Sequence, residues 1–205
     1  MNPADVLQAA LITLAAFVIG GIPWGVIVAR LSGGPDPRTI GSGRTGGANV
    51  MRALGPRLAL LSGLLDMLKG TAAVLLARAL GAGIEVEVLA GLAAIVGHSR
   101  SPFLGFSGGR GVSAAFGAAL VLAPFAAAIL LAVFLVVLAV TRYTSLASLV
   151  SAVVGGVVLA IQVVVGGLAP ALLVFALVGP LLIWLFHLDN IGRLLRGEER
   201  KFGTK

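Results

Sequence analysis

The chain has 205 residues, of which 59% are hydrophobic and only 11% are charged, with a mean hydropathy of +1.08 and a net charge of +7. So few charges exclude a soluble domain of this length, which would expose too much surface to water. The absence of cysteine excludes disulfides, thiolate metal sites and cysteine nucleophiles, and two histidines without a carboxylate cluster do not form a usual zinc site, so we expect no metal and no cofactor.

Long apolar segments recur along the chain, and they predict an all-α polytopic membrane protein in which residues 1–205 form a single membrane-integral domain. The first segment has no basic flank before it and no small-residue cleavage pattern after it, so we expect it to remain as a helix. Gly20, Gly21 and Pro23 predict a kink within it. In chain order the segments are residues 7–29, 58–80, 86–96, 112–140, 146–165 and 170–186.

The segment 112–140 contains Pro124 and forms either one long kinked helix or two shorter ones. Two helices give seven spans and bring the polar loops 30–57 and 97–111, Arg142 and the basic tail to one side of the membrane. That side then holds nearly all of the lysines and arginines, including Lys205 at the end of the tail. The two basic residues that lie elsewhere are Lys69 and Arg78.

The positive-inside rule therefore favours seven helices, with the N-terminus outside and the C-terminus in the cytoplasm. The same rule accounts for the net charge of +7 without a nucleic-acid partner, and we expect none. Residues 112–122 would rise only about 17 Å, about half a bilayer. We therefore expect neighbouring helices or thinned membrane to cover this short segment.

The first polar loop reads GSGRTGGANVMR, starting at Gly41. Gly41, Gly43 and the glycines after them let backbone N–H groups approach an anion closely. Ser42 offers a hydroxyl, Asn49 an amide, and Arg52 a planar fork that matches a phosphate. The pattern fits a phosphate site, and it equally fits a flexible, solvated loop with cytoplasmic arginines.

The second polar loop ends in FSGGRGV, and an apolar helix follows it directly. Gly108, Gly109 and Gly111 surround one cation, Arg110, just before the helix starts, which is the arrangement that cradles phosphate in glycine-rich loops. The spacing of a Walker A motif is missing. The alternative is a turn that starts a helix and carries an interfacial arginine.

Several polar residues lie within or at the ends of the apolar segments. Asp66 and Lys69 are three residues apart, so they share a helix face and can form an ion pair, either as structural support or as part of a polar wall under a phosphate site. His187 and Asn190, at the end of the last segment, are also expected to share a helix face, as a general base with its neighbour or as a helix cap. His98 ends the third segment with the same two possibilities.

With these residues in view, the chain resembles the bacterial acyl-phosphate-dependent glycerol-3-phosphate acyltransferases over almost its whole length. Five motifs of that family are matched in the correct order, which is far more specific than any single glycine loop. The matching stretches are residues 41–52, 65–70, 97–112, 141–145 and 187–198.

The resemblance implies transfer of a fatty acyl group from acyl phosphate to the 1-hydroxyl of glycerol 3-phosphate. The products would be lysophosphatidic acid and phosphate, in the first step of phospholipid synthesis. The implied catalytic residues are Ser42, Arg52, His187 and Asn190. The implied substrate-binding residues are Gly41, Gly43, Asn49, Lys69, His98, Gly108, Gly109, Arg110, Gly111 and Ser145. We expect a monomer in the cell's inner or plasma membrane, in contact with membrane lipid, with its active site facing the cytoplasm.

Five positions depart from the family's pattern and leave open a paralogue with an altered acceptor. Arg110 stands where the family has lysine, which replaces a point donor by a planar fork. Arg44 stands in place of asparagine, Ala48 in place of threonine, and Phe186 in place of arginine. Pro102 lies one place later than in the family.

Two other functions remain as alternatives. A transporter of an anionic phosphorylated metabolite would suit the intramembrane charges Asp66 and Lys69 and the interrupted segments. Against it, the chain has no convincing internal repeat, and the polar loops gather on one face rather than at the membrane midplane. A non-catalytic lipid-binding or scaffolding protein would explain the altered motif positions.

Overall fold

The fold is taken from a computed structural model that describes residues 2–203, so that Lys205 of the basic tail lies outside the described residues. This part of the chain folds into helices without β-strands; two serines, Ser101 and Ser107, form one isolated bridge. The α-helices are α1 (Pro3–Gly21), α2 (Trp24–Leu31), α3 (Gly47–Leu54), α4 (Pro56–Ala79), α5 (Ile84–Ser99), α6 (Val112–Leu122), α7 (Pro124–Thr141), α8 (Thr144–Val164), α9 (Leu172–Phe186) and α10 (Leu188–Leu195).

Within residues 2–203, four helical segments are long and apolar enough to cross a bilayer. They are α1 with α2, then α4, α7 and α8, and the bent pair α9 and α10 would make a fifth. The all-helical, polytopic architecture expected from the sequence is therefore confirmed. The count of seven spans and the orientation of the termini stay predictions.

Both predicted interruptions occur where glycine and proline lie. The first segment breaks between Gly21 and Trp24, and the apolar run 112–140 breaks at Ala123, directly before Pro124. Gly20 has a second role, because a Cβ atom there would lie only 2.4 Å from a backbone carbonyl oxygen of α5. Small residues thus let α1 and α5 pack backbone against backbone, as helices in membranes commonly do.

The short helix α6 is covered by its neighbours, as its length required. Gly117 of α6 packs so closely on α4 that a Cβ atom would lie 1.9 Å from the Met67 carbonyl oxygen. Gly70 of α4 packs equally closely in return, 2.0 Å from the Ala114 carbonyl oxygen. The interior around α6 consists mainly of alanine, valine and leucine side chains of α4 to α9. This close packing fixes where the loop before α6 lies.

The predicted pair of Asp66 and Lys69 forms inside this helix bundle. Lys69 Nζ lies 2.9 Å from Asp66 Oδ1 and donates a hydrogen bond of 2.8 Å to the carbonyl oxygen of Ile22, in the break between α1 and α2. His98 Nδ1 lies 3.6 Å from the same carboxylate oxygen. All three side chains are buried. The lysine therefore ties the interruption of the first segment to α4.

Helices α9 and α10 meet at 63° at His187, which ends α9 and is the N-cap of α10. The His187 carbonyl accepts from the Ile191 N–H at 2.8 Å, so His187 and Asn190 lie three positions apart on the first turn of α10. Side chains replace the backbone bonds that would continue the helix. The ring Nδ1 of His187 lies 2.7 Å from the Ile183 carbonyl oxygen, while the His187 N–H donates to the Trp184 carbonyl. The Phe186 carbonyl accepts from the guanidinium of Arg110. With these acceptors occupied, the chain turns.

Candidate active site

A cavity of about 460 Å³ lies where the two glycine-bearing loops meet α3, the start of α8 and the junction of α9 with α10. The tail after α10 folds back and forms part of its wall. Apolar side chains of α4 and α7 line another part of it. Its polar wall consists of Ser42, Arg44, Asn49, Arg52, His98, Arg110, Ser113, Thr144, Ser145, Ser148, His187, Asn190, Arg193, Glu199 and Arg200.

The cavity brings together most of the site residues expected from the sequence. The four expected catalytic residues all line it: Ser42, Arg52, His187 and Asn190. Four of the expected binding residues do so too: Asn49, His98, Arg110 and Ser145. The other six lie outside its wall: Gly41, Gly43, Lys69, Gly108, Gly109 and Gly111. For Lys69, the buried ion pair with Asp66 supports the structural interpretation.

The side chain of Asn49 holds the backbone of the first loop through hydrogen bonds. It is only 2% exposed, and its amide donates hydrogen bonds of 2.8 Å and 2.9 Å to the carbonyl oxygens of Ile40 and Arg44. Its side-chain oxygen accepts the Ser42 N–H at 3.2 Å. Gly41 has a φ of +57° and would bring a Cβ atom within 2.4 Å of that oxygen. Glycine and asparagine together therefore fix the backbone that carries Ser42.

The glycines of the second loop pack against His98 rather than lining the cavity. The Gly109 N–H donates to the His98 carbonyl at 3.0 Å, and a Cβ atom at Gly109 would lie 1.9 Å from His98 Nε2. A Cβ atom at Gly108 would lie 2.3 Å from the same carbonyl oxygen. Gly111, with a φ of +81°, then starts α6. This packing leaves Arg110 and the first turn of α6, including Ser113, to face the cavity.

Cations crowd this wall without enough carboxylates to pair them. Burial, followed by the nearby charge of Arg200, lowers the pKa of Arg52, and burial followed by the charge of Arg110 lowers the pKa of Arg44. Arg52 Nε is buried and donates to no acceptor among residues 2–203. An anion in the cavity would relieve the repulsion between the cations.

Glu199 is a buried, charged residue of the cavity wall that sequence reasoning missed. Its side chain is 7% exposed, and its carboxylate accepts hydrogen bonds from Ser145 Oγ at 2.9 Å, Asn190 Nδ2 at 2.6 Å and Arg193 Nε at 2.8 Å. The family resemblance instead drew attention to the preceding Glu198, which forms an exposed ion pair. Two adjacent glutamates carry no signal that says which one points inward, because only the fold of the tail decides it.

The junction of α9 and α10 determines which ring nitrogen of His187 carries the proton. The Ile183 carbonyl oxygen can only accept a hydrogen bond, so the neighbouring Nδ1 carries the proton and Nε2 of the neutral ring is the acceptor. Asn190 uses its amide nitrogen on Glu199, while its side-chain oxygen has no donor within the described part of the chain. Both residues line the cavity, where His187 Nε2 is an acceptor and Asn190 Oδ1 is a buried acceptor without a donor.

The match to a known family decides what this cavity belongs to. Residues 10–197 match the sequence model of the family described as glycerol-3-phosphate acyltransferase. The chain belongs to this family. The acyltransferase class and the family resemblance expected from the sequence are thereby confirmed.

Curated members of the glycerol-3-phosphate acyltransferase family align with nearly the whole chain. A protein of that name from Rubrobacter xylanophilus is 45% identical over 195 residues, which cover 95% of this chain and 96% of the relative. Another, from Synechococcus sp. strain JA-2-3B'a(2-13), is 45% identical over 201 residues, covering 97% of each chain.

Two crystal structures of PlsY (YgiH), described as an integral membrane glycerol 3-phosphate acyltransferase, share this fold. The glycerol 3-phosphate form superposes with a TM-score of 0.87 at 37% sequence identity and covers 96% of both chains. The lysophosphatidic acid form gives a TM-score of 0.85 at 36% identity over the same share of each chain. A membrane-embedded location for this chain follows from the likeness and from the apolar helices.

Proposed function

We propose that this chain transfers a fatty acyl group from acyl phosphate to the 1-hydroxyl of glycerol 3-phosphate, giving lysophosphatidic acid and phosphate. The observation that carries the proposal is the charge of the cavity wall, where five arginines face a single carboxylate, that of Glu199. Both substrates are phosphate anions, and the positive charge of this wall can offset the negative charge of two phosphate groups. The reaction begins phospholipid synthesis.

The apolar part of the wall suits the fatty acyl chain of the donor. Leu60 of α4 and Phe134 and Leu138 of α7 line the cavity. Leu60 is 65% exposed, and α7 is largely unburied by other helices, so this side of the cavity borders the lipid. An acyl chain can therefore lie between α4 and α7 while its phosphate reaches the arginines.

The chemistry needs no acyl-enzyme, because acyl phosphate is a mixed anhydride with a good leaving group. The 1-hydroxyl oxygen attacks the acyl carbonyl carbon, a new ester bond forms, and the bond from that carbon to the phosphate oxygen breaks. Arg52 and Arg110 neutralise phosphate charge as it develops on the leaving group and hold the two substrates together. Ser42 hydrogen-bonds substrate and does not become acylated.

The proton of the attacking hydroxyl passes to His187 Nε2 or to a phosphate oxygen of a substrate. The fixed proton on Nδ1 supports His187, since it leaves Nε2 as an acceptor at the cavity. His187→Gln separates the two routes, because glutamine keeps hydrogen bonding but cannot take up the proton. A large loss of kcat supports His187 as the base, and an unchanged kcat assigns the proton to phosphate.

We further propose seven spans, a cytoplasmic active site in the cell's inner or plasma membrane, a single domain over the whole chain and a monomeric enzyme. The positive-inside rule supports the orientation, because the cationic cavity wall and the basic tail lie together. The Gly46–Arg52 region, Arg110 and the tail would then all meet cytoplasmic glycerol 3-phosphate directly.

Phosphate release by purified protein tests the proposal and separates it from transport. Wild-type protein should release phosphate only when acyl phosphate and glycerol 3-phosphate are both present, and Arg52→Ala should abolish the release. Arg57→Ala is the matched control, because Arg57 is exposed, lies outside the cavity wall and should be dispensable. Movement of glycerol 3-phosphate into liposomes without turnover would instead support the transporter.

A further inference from the structure

Arg110 is held by one edge of its guanidinium and has its other edge free. Nη1 lies 2.5 Å from Asp189 Oδ1 and Nη2 lies 2.7 Å from Asp189 Oδ2, while Nη1 also donates to the Phe186 carbonyl. A guanidinium has five N–H donors, so Nε–H and one N–H of Nη2 remain. Neither bonds to any acceptor within residues 2–203. These two donors form a second planar edge, and such an edge matches two phosphate oxygens.

Asp189 lies between two arginines and not in the cavity wall. Besides Arg110, it pairs with Arg193 Nη1 at 3.3 Å, and both arginines line the cavity whereas Asp189 does not. The hydrogen bond from Arg110 holds the pKa of Asp189 far below its ordinary value, so the carboxylate is charged at any physiological pH. The Arg110 side chain is only 12% exposed, compared with 44% for Asp189. The carboxylate therefore fixes the arginine without occupying the place of a ligand.

We propose that Asp189 is a positioning residue that clamps Arg110, so that its free edge binds the phosphate of one substrate. This inference rests on the proposed function. A lysine has one nitrogen and could not bind a carboxylate through one planar edge and a phosphate through another. Asp189 thus makes this chain's arginine a directed, bidentate phosphate ligand.

Two measurements on detergent-purified protein test the clamp. Steady-state kinetics should show that Asp189→Ala raises KM for one of the two substrates about tenfold, the effect of losing one charge-assisted contact, with a much smaller change in kcat. Asp189→Glu should recover most of the affinity, since it restores the carboxylate. The double variant Asp189→Ala/Arg110→Ala should be no worse than Arg110→Ala alone. Glu198→Ala, which removes an exposed carboxylate paired with Arg196, is the matched control.

The second measurement is the rise in melting temperature caused by inorganic phosphate, which needs no turnover. Wild-type protein should be stabilised by phosphate, and Asp189→Ala should require about tenfold more phosphate for the same rise. If Asp189→Ala does not fold, Asp189→Asn, which keeps the size of the side chain, carries the test. The two proposals can fail separately. If the variant binds phosphate more weakly but the wild-type protein forms no lysophosphatidic acid, the clamp is supported and the proposed function is contradicted.

Several results would overturn the inference. They are equal changes in KM for both substrates, additive losses in the double variant, no stabilisation of the wild type by phosphate, and tighter phosphate binding after removal of Asp189. The last result would mean that the carboxylate competes with phosphate for Arg110 instead of positioning it.

Discussion

Glu199→Gln is the substitution for which the structure predicts the most specific loss. One carboxylate oxygen accepts from Ser145 and Asn190, and the other accepts from Arg193. Glutamine has one oxygen and one amide group, so in either orientation an N–H group must face another donor. The variant therefore loses the charge-assisted bond to Arg193 or leaves the Asn190 amide opposed by a second donor.

The expected size of the effect follows from burial. Breaking a buried ion pair by removing one charge typically destabilises a protein by about 3–5 kcal/mol, and a glutamine that keeps part of the hydrogen bonding should lose roughly 2–4 kcal/mol. For a chain of this length that lowers the melting temperature by roughly 5–15 °C. Catalytic efficiency should fall as well, because Ser145 and Asn190 lose the group that orients them.

The assay is thermal unfolding and acyl transfer by Glu199→Gln beside Glu198→Gln, the same substitution one residue earlier. The Glu198 side chain is 58% exposed and pairs with an arginine that is 60% exposed, so its loss should change stability by roughly 0–1 kcal/mol. Equal melting temperatures and equal activities for the two variants would refute the assignment of Glu199 as the buried anchor of the tail.

Three further predictions concern the helix bundle and its pH dependence. Gly70→Ala should prevent folding or greatly lower the melting temperature, because its Cβ would lie 2.0 Å from a backbone carbonyl oxygen of α6. Gly63→Ala on the same helix is the control, since its Cβ meets nothing within 4 Å and thermal unfolding should be unchanged. Lys69→Met should destabilise the protein by about 3–5 kcal/mol, because the buried Asp66 carboxylate loses its lysine partner. Asp66→Asn in the same chain should recover part of this loss. An unchanged melting temperature for Lys69→Met would show that the pair contributes nothing to stability. Because the pKa of Asp189 is lowered in the folded protein, its contribution to stability is present above its unfolded-state pKa and is lost only as pH falls through the lower folded value. Asp189 therefore does not titrate between about pH 5 and 8, and the kcat–pH profiles of wild type and Asp189→Asn should have the same shape in that window. A new inflection there would contradict this.

Periodicity, glycine and proline predicted much of the bundle. The breaks near Pro23 and Pro124 lie where the sequence put them, since a proline within a helix removes a backbone hydrogen bond and clashes with the preceding turn, although α9 continues through Pro180. The pair of Asp66 and Lys69 followed from helical spacing alone. These features depend on the local chain, which is why sequence reasoning reached them.

Sequence reasoning did not predict the features that depend on contacts between residues far apart in the chain. The bend at His187 requires the Arg110 guanidinium to take the Phe186 carbonyl, and these residues are 76 positions apart. Gly108 and Gly109 suited a phosphate cradle by sequence, yet their lack of a side chain is used to pack on His98. Glu199 differs from Glu198 only in the way the tail folds back. Spacing along the chain carries none of this information.

The most direct test of the account is the choice of acyl donor by the purified protein, followed by mass spectrometry of the products. The arginine wall is expected to recognise the phosphate of the donor, so acyl phosphate with glycerol 3-phosphate should give lysophosphatidic acid and phosphate in equal amounts, and an acyl thioester should give no product. Ser42 should remain unmodified throughout. Efficient transfer from the thioester, or an acyl group trapped on Ser42, would contradict direct transfer from acyl phosphate.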